Sequence, residues 1–185
     1  MAFPDDLLEL AQDLANLHRE IPHQASLRRA VSTAYYTLFH LLISEATANW
    51  ARPELRATLG RCFDHGPMKT ASEAKVSQIN TLLMRNPPDG EGKTVALHLR
   101  TVANTFVQAQ QRRYDADYNL GREWTRVEVD TQIASVTVAF KAWKVIRDEA
   151  TAQAYLVSLL GTKERRVNEP KLPKARTART RKRIE

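Results

Sequence analysis

Ser26–Leu41 reads SLRRAVSTAYYTLFHL. Its apolar residues Leu27, Val31, Ala34, Tyr35 and Leu38 recur three and four residues apart, and Leu42 and Ala46 continue the series. That is the repeat of one helix face, and it predicts a helix from about Gln24 to Asn49. Beside it runs a polar stripe, Arg29, Thr33, Tyr36 and His40, at spacings of four, three and four. A stripe next to a buried face is itself partly buried, and buried cations are costly unless paired. This helix therefore requires polar partners from elsewhere in the chain.

Working outward, the rest of the body also reads as helix. Leu7, Leu8, Leu10, Ala11, Leu14, Ala15 and Leu17 form a helical stripe from Asp5 to about Arg19, which Pro22 ends. After Pro53 a helix is expected from about Glu54 to Phe63, closed by His65-Gly66-Pro67. Lys69–Met84 is a weaker helical segment, and Asn86–Lys93 (NPPDGEGK) reads as a loop. Long helices are predicted over Thr94–Asp117 and Arg126–Ala150, with Ala152–Leu160 extending the second or standing alone. No alternating strand pattern, internal repeat or heptad run is apparent. The expected class is all-α, an antiparallel helical bundle of about five to six helices with short loops.

The chain has 185 residues, 43% of them apolar, enough for one domain with a sizeable core. The formal charge of +7 is local. Residues 1–161 hold 18 Lys/Arg and 18 Asp/Glu; residues 162–185 hold 10 basic and 3 acidic residues, the whole excess. The expected division is a bundle domain over 1–161 and a disordered basic tail over 162–185, since the tail has too little apolar surface to offset ordering entropy. Such an arm attracts phosphate backbones, or an acidic partner chain. No apolar run is long enough to span a membrane, so no membrane association is expected. The acidic, non-hydrophobic start argues against a secretory signal. The single cysteine, Cys62, has no disulfide partner, which suits a reducing, cytoplasmic setting. It reads as a small core residue.

Two further segments join the polar stripe. In Arg61-Cys62-Phe63-Asp64-His65, the outer residues lie four apart and share a face if the helix reaches His65. The pair suits phosphodiester chemistry: histidine moves a proton and a guanidinium holds growing phosphate charge. Lys69 adds a phosphate contact. The structural alternative has His65 capping the helix end and Asp64 pairing with Arg61. In Arg112–Asn119 (RRYDADYN), Arg113 and Asp117 lie four apart. Two acids near a helix C-terminus oppose the macrodipole, so a cation is expected there. Arg28 or Arg29 would supply it, and an ion pair of Arg28 with Asp117 would lock two helices. Asp115 and Asp117 point too far apart on a helix to share a metal, and no metal site is expected. Gly90–Thr94 (GEGKT) lacks the strand and upstream glycine of a phosphate-binding loop.

Taken together, these segments resemble the HEPN superfamily (higher eukaryotes and prokaryotes nucleotide-binding) over roughly residues 5–150. SLRRAVSTAYYTLFHLL looks like the "RAYYALFH"-type helix of bacterial members, and RRYDADYN resembles the end of a later helix in them. The resemblance implies an α-helical bundle that dimerises, with no cofactor. Many members are metal-independent endoribonucleases of toxin–antitoxin and other defence systems; others only bind nucleotides or partner proteins. The interval Cys62–Asp64 between Arg61 and His65 is shorter than the family's Arg-to-His pattern. The resemblance implies Arg61 and His65 as catalytic residues, with Lys69, Tyr36, His40, Arg29 and Arg113 contacting substrate. RNA and an antitoxin or other partner protein are the expected partners. The other reading is a catalytically silent module that docks a protein, nucleotide or nucleic acid.

Overall fold

The computed structural model describes residues 2–18 and 20–161. The expected basic tail, 162–185, lies outside the described residues. Helices are α1 (Phe3–Asn16), α2 (Gln24–Ala48), α3 (Arg56–Gly60), α4 (His65–Arg85), α5 (Gly90–Tyr118), α6 (Arg126–Ile146) and α7 (Ala150–Ser158), with a 3-10 turn over Pro53–Leu55 before α3. Among the described residues the chain is all-α, as the periodicity predicts. Among the described residues seven α-helices replace the five or six expected. One of the extra breaks follows Ile146, where the helix expected to run to Ala150 stops and α7 starts separately.

The central element is α2. It packs against α1, α5 and α6, so Leu27, Ala30, Val31, Ala34, Tyr35, Leu38 and Leu42 are all buried. Burial extends to Ser32, Thr33, Thr37, Phe39 and Leu41, because more than one side of the helix is covered. Contacts between side chains also set directions. Asp5 reaches Lys144 and Asn16 reaches Arg126, so α1 and α6 are antiparallel. Arg28 reaches Ala116 while Tyr35 meets Phe106, so α2 and α5 are antiparallel. However, Gln24 bonds Trp124, Gln132 bonds the Val31 carbonyl, and Arg147 pairs with Glu45. Helices α2 and α6 therefore run in the same direction, which corrects the expectation of an antiparallel arrangement throughout.

The segment around His65 is the other correction. His65-Gly66-Pro67 does not close α3; it forms the first turn of α4, with Asp64 at the N-cap position. Proline is tolerated there because a first-turn N–H has no intrahelical acceptor. Helix α3 already ends at Gly60. Cys62 is exposed rather than in the core.

Helix α7 closes the far side. Tyr155 is fully buried, and its hydroxyl meets Ser72 Oγ of α4 at 2.8 Å. Ser72→Ala should cost about 1–3 kcal/mol by leaving that phenol unpaired. The double variant Ser72→Ala/Tyr155→Phe should lose much less than the sum of the singles, a non-additivity that urea denaturation measures. Beyond α7, Gly161 has φ +59° and lies against Pro67; an added Cβ would come 2.7 Å from the proline ring. Glycine is required there for both reasons.

Candidate functional site: a histidine–tyrosine–arginine crevice

Three helices bring polar side chains together at the start of α4. His65 occupies its first position, and Tyr35 and Tyr36 come from the middle of α2. Gln110, Arg113 and Asp117 come from the last turns of α5, one helical turn apart on one face. The Tyr35 hydroxyl and His65 Nδ1 are 2.6 Å apart. Gln110 Nε2 donates to the His65 carbonyl at 3.0 Å, tying α4 to α5. The imidazole lies 4.4 Å from the Phe39 ring, centroid to centroid, and 6.0 Å from that of Tyr36. The ring is thus held by one hydrogen bond and an aromatic wall, and among the described residues Nε2 has no hydrogen-bond partner.

Arg113 is the cation of this site. Its guanidinium carbon is 5.5 Å from the Tyr35 ring and 6.0 Å from the Tyr36 ring. Nη1 pairs with Asp117 Oδ2 at 3.2 Å, and the arginine side chain is only 13% exposed. The other Asp117 oxygen accepts a hydrogen bond from Ser32 Oγ. Arg113 Nε is buried without a partner.

The electrostatics follow from this packing. Burial, chiefly, and then the Arg113 charge hold His65 below the ordinary histidine value; Asp64 opposes them, and His40 adds a smaller push downward. Burial also lowers His40. Tyr35 is raised, again chiefly by burial, so its phenol stays protonated. A neutral imidazole next to a protonated phenol can have Nε2 either protonated or free, depending on which partner donates between Oη and Nδ1. That is the requirement for an acid–base catalyst at neutral pH.

The sequence-predicted residues fall into two groups. His65, Tyr36, His40 and Arg113 do meet: the Tyr36 ring is 6.1 Å from that of His40, whose other side contacts Phe3 at 5.0 Å. Arg61 does not join them. It is an exposed C-cap residue of α3, and the turn Cys62–Asp64 breaks the shared face that a continuous helix would have given it with His65. Lys69 lies one turn beyond His65 and reaches Glu73 at 3.9 Å. Arg29 is exposed.

The expected ion pair of Arg28 with Asp117 is not formed. Arg28 instead donates to the backbone carbonyls of Ala116 (2.8 Å), Asn119 (3.0 Å) and Arg122. The free carbonyls at a helix C-terminus are themselves a negative site, and Arg28 satisfies them while Arg113 takes the carboxylate. Asp115 points away from Asp117 and pairs with Arg122 at 2.9 Å. Arg122 also stacks on Trp124, 4.0 Å from the ring.

Sequence reading missed Tyr35, Gln110 and Arg122 as polar participants, while Ser32, which the sequence marks as able to donate or accept, does bond Asp117. Tyr35 gave a signal: a tyrosine in a fully apolar stripe buries a hydroxyl that needs a partner. Nothing in the sequence marked Gln110. Tyr114 and Tyr118 form an exposed ring pair 5.1 Å apart at the end of α5, with Tyr114 one turn beyond Gln110. A largely apolar cavity of about 570 Å³ between α4, α5 and the start of α7 includes none of these groups. Among the described residues no helix is long and apolar enough to cross a membrane. Nor, among them, do three or more His, Cys, Asp or Glu side chains cluster as a metal site.

Compared with known proteins, the chain matches no family model, no curated protein and no solved structure.

Proposed function

We propose that the chain is a HEPN-like endoribonuclease that cleaves RNA without a metal, with His65 as its proton-transfer group. The observation that carries this reading is the Tyr35–His65 pair beneath Arg113: a neutral, oriented imidazole with a free Nε2 beside a fixed cation. In the reaction a ribose 2′-oxygen attacks the adjacent phosphorus and gives its proton to Nε2. The P–O5′ bond breaks, and the 5′-oxygen takes a proton back from the imidazolium. The products are a 2′,3′-cyclic phosphate and a 5′-hydroxyl. Arg113 supplies positive charge next to the pentacoordinate phosphorus. Lys69, Arg29 and the exposed Arg61 serve as outer phosphate contacts, and Tyr36 and His40 line the approach. The exposed rings of Tyr114 and Tyr118 give an unpaired base a face to stack on. The basic segment 162–185 adds salt-dependent attraction. A toxin or defence effector in the reducing cytoplasm, held by an antitoxin, is the setting that fits this chemistry.

A second reading rests on one observation. Asp117 already neutralises Arg113, which suits a catalytically silent module docking a partner protein, nucleotide or nucleic acid through the same crevice.

Cleavage of end-labelled single-stranded RNA in EDTA decides between them. Arg113→Ala should slow cleavage about 10²- to 10³-fold, the cost of losing one transition-state charge contact. Arg61→Ala should change it only a few-fold, with far-ultraviolet circular dichroism checking that both variants fold. An equal or larger loss in Arg61→Ala would reassign the site to α3. No cleavage by the parent chain, with RNA retained at low salt and released at high salt, would establish the docking module.

A further inference from the structure

The cavity of about 570 Å³ between α4, α5 and the start of α7 has the size of a small-molecule site and shares no residue with the crevice around His65. Its walls are apolar. Ile79 and Leu82 come from α4, Val95, Ala96 and Leu99 from α5, and Pro88 from the connection between them. Ile79, Ala96 and Leu99 are buried, so the cavity reaches down to the core. Helix α5 leaves the space open by carrying small residues on this side, Gly92 and, one turn later, Ala96. A Cβ on Gly92 would come 3.3 Å from that of Pro88, so the connection lies close over the start of α5 and forms the adjoining wall.

Charge around the opening identifies the occupant. Two acids line the cavity, Glu91 in the first turn of α5 and Glu149 at the N-cap position of α7. Glu91 is exposed and Glu149 partly so, which puts both on the solvent side. The helix macrodipole accounts for an acid at each position. It does not account for their meeting at one apolar cavity. Glu149 makes no side-chain capping bond, and among the described residues neither carboxylate joins an ion pair. Lys75, the cation in the lining, donates instead to Gln78 Oε1 at 2.8 Å. Two acids against one lysine leave the lining negative. The complementary molecule has an apolar body for the walls and an ammonium for the carboxylates. An anionic head would meet like charge, and an uncharged head would leave both acids unanswered.

We propose that this cavity binds a small primary amine with an apolar body, which lies between Leu82 and Leu99 with its ammonium beside Glu91 and Glu149. The site is separate from the reaction assigned to His65, and its test does not read cleavage. n-Octylamine is titrated into the full chain, with n-octanol and octanoate as the uncharged and anionic counterparts. Calorimetry gives the affinities, and carbon-13 shifts of the methyl groups locate the ligand. Octylamine should saturate, with shifts at Ile79, Leu82, Val95 and Leu99. Octanol should bind about fivefold more weakly, the worth of a partly exposed charge pair, and octanoate more weakly still. Glu91→Gln and Glu149→Gln should each weaken octylamine a few-fold and leave octanol unchanged. Ala96→Phe fills the cavity and should weaken all of them about tenfold or more, because the apolar contacts are lost. Leu82→Lys, at a position 41% exposed in the parent, keeps the fold and brings a cation to the opening, so octanoate should then bind at least as tightly as octylamine. Circular dichroism checks each variant, and Leu82→Lys decides if Ala96→Phe does not fold. Octylamine that fails to saturate, that shifts methyl groups elsewhere, or that is indifferent to Leu82→Lys overturns the proposal. Equal affinities for octanol and octylamine overturn the choice of an amine.

Discussion

His65→Ala is expected to lower RNA cleavage about 10²- to 10⁴-fold, the usual worth of a positioned acid–base group, with the fold intact. The side chain is half-buried at the first position of α4, and the tie to α5 runs through the residue's backbone carbonyl, which alanine keeps. What alanine removes is the ring itself, and with it the partner of Tyr35. The pH dependence carries the stronger signature. Burial and Arg113 both disfavour the imidazolium, so the folded His65 loses its proton below the unfolded value of about 6.5. The acid limb of the rate profile should therefore lie below that value. Between the folded and unfolded values the unfolded chain binds more protons, so this residue makes stability rise with pH across that window. Titration of the His65 ring by NMR reads the same quantity without turnover. Its midpoint should rise in Arg113→Ala, where one of the causes that lower it is removed. A midpoint at the ordinary histidine value in the parent chain would remove the basis for placing a neutral imidazole at the centre of the chemistry.

The second large effect is on stability. Arg28→Ala should destabilise the fold by about 2–3 kcal/mol, since its guanidinium is shared among several carbonyls and charge-assisted bonds are worth about 1.5–3 kcal/mol. Those carbonyls end α5 and begin the turn that leads to α6, so no neighbouring donor replaces it. For a domain of this size the loss corresponds to a drop in melting temperature on the order of 5–10 °C. Arg28→Lys should recover only part of it, because an ammonium lacks the planar fork that reaches separated acceptors. A neutral Arg28→Ala would mean that solvent serves these carbonyls equally well.

These two sites also show where sequence reading succeeds and where it stops. The stripe of Leu27, Val31, Ala34, Tyr35 and Leu38 located α2 almost to the residue, because a buried helix face imposes its repeat directly on the chain. The polar residues of RRYDADYN were legible as a place where charge had to be balanced. Which arginine balances which acceptor was not legible. Arg28 and Arg113 are both within reach of the same helix end, and only the packing angle of α2 on α5 sends one to carbonyls and the other to Asp117. Arg61 failed for a local reason. Its pairing with His65 assumed an unbroken helix, and a five-residue α3 followed by a turn is a boundary that periodicity resolves poorly. Proline at the third position of α4 was the available signal: Asp64-His65-Gly66-Pro67 fits a helix start as well as a helix stop.

The contact of Gly161 on Pro67 has a consequence for the residues that follow. It fixes the launching point of the basic segment two residues from His65. If that segment captures RNA, as proposed, the strand is tethered at short range, and the crevice would experience a local concentration that can reach the order of millimolar whatever the bulk supply. Shifting the launching point, rather than changing any charge, would dilute that advantage.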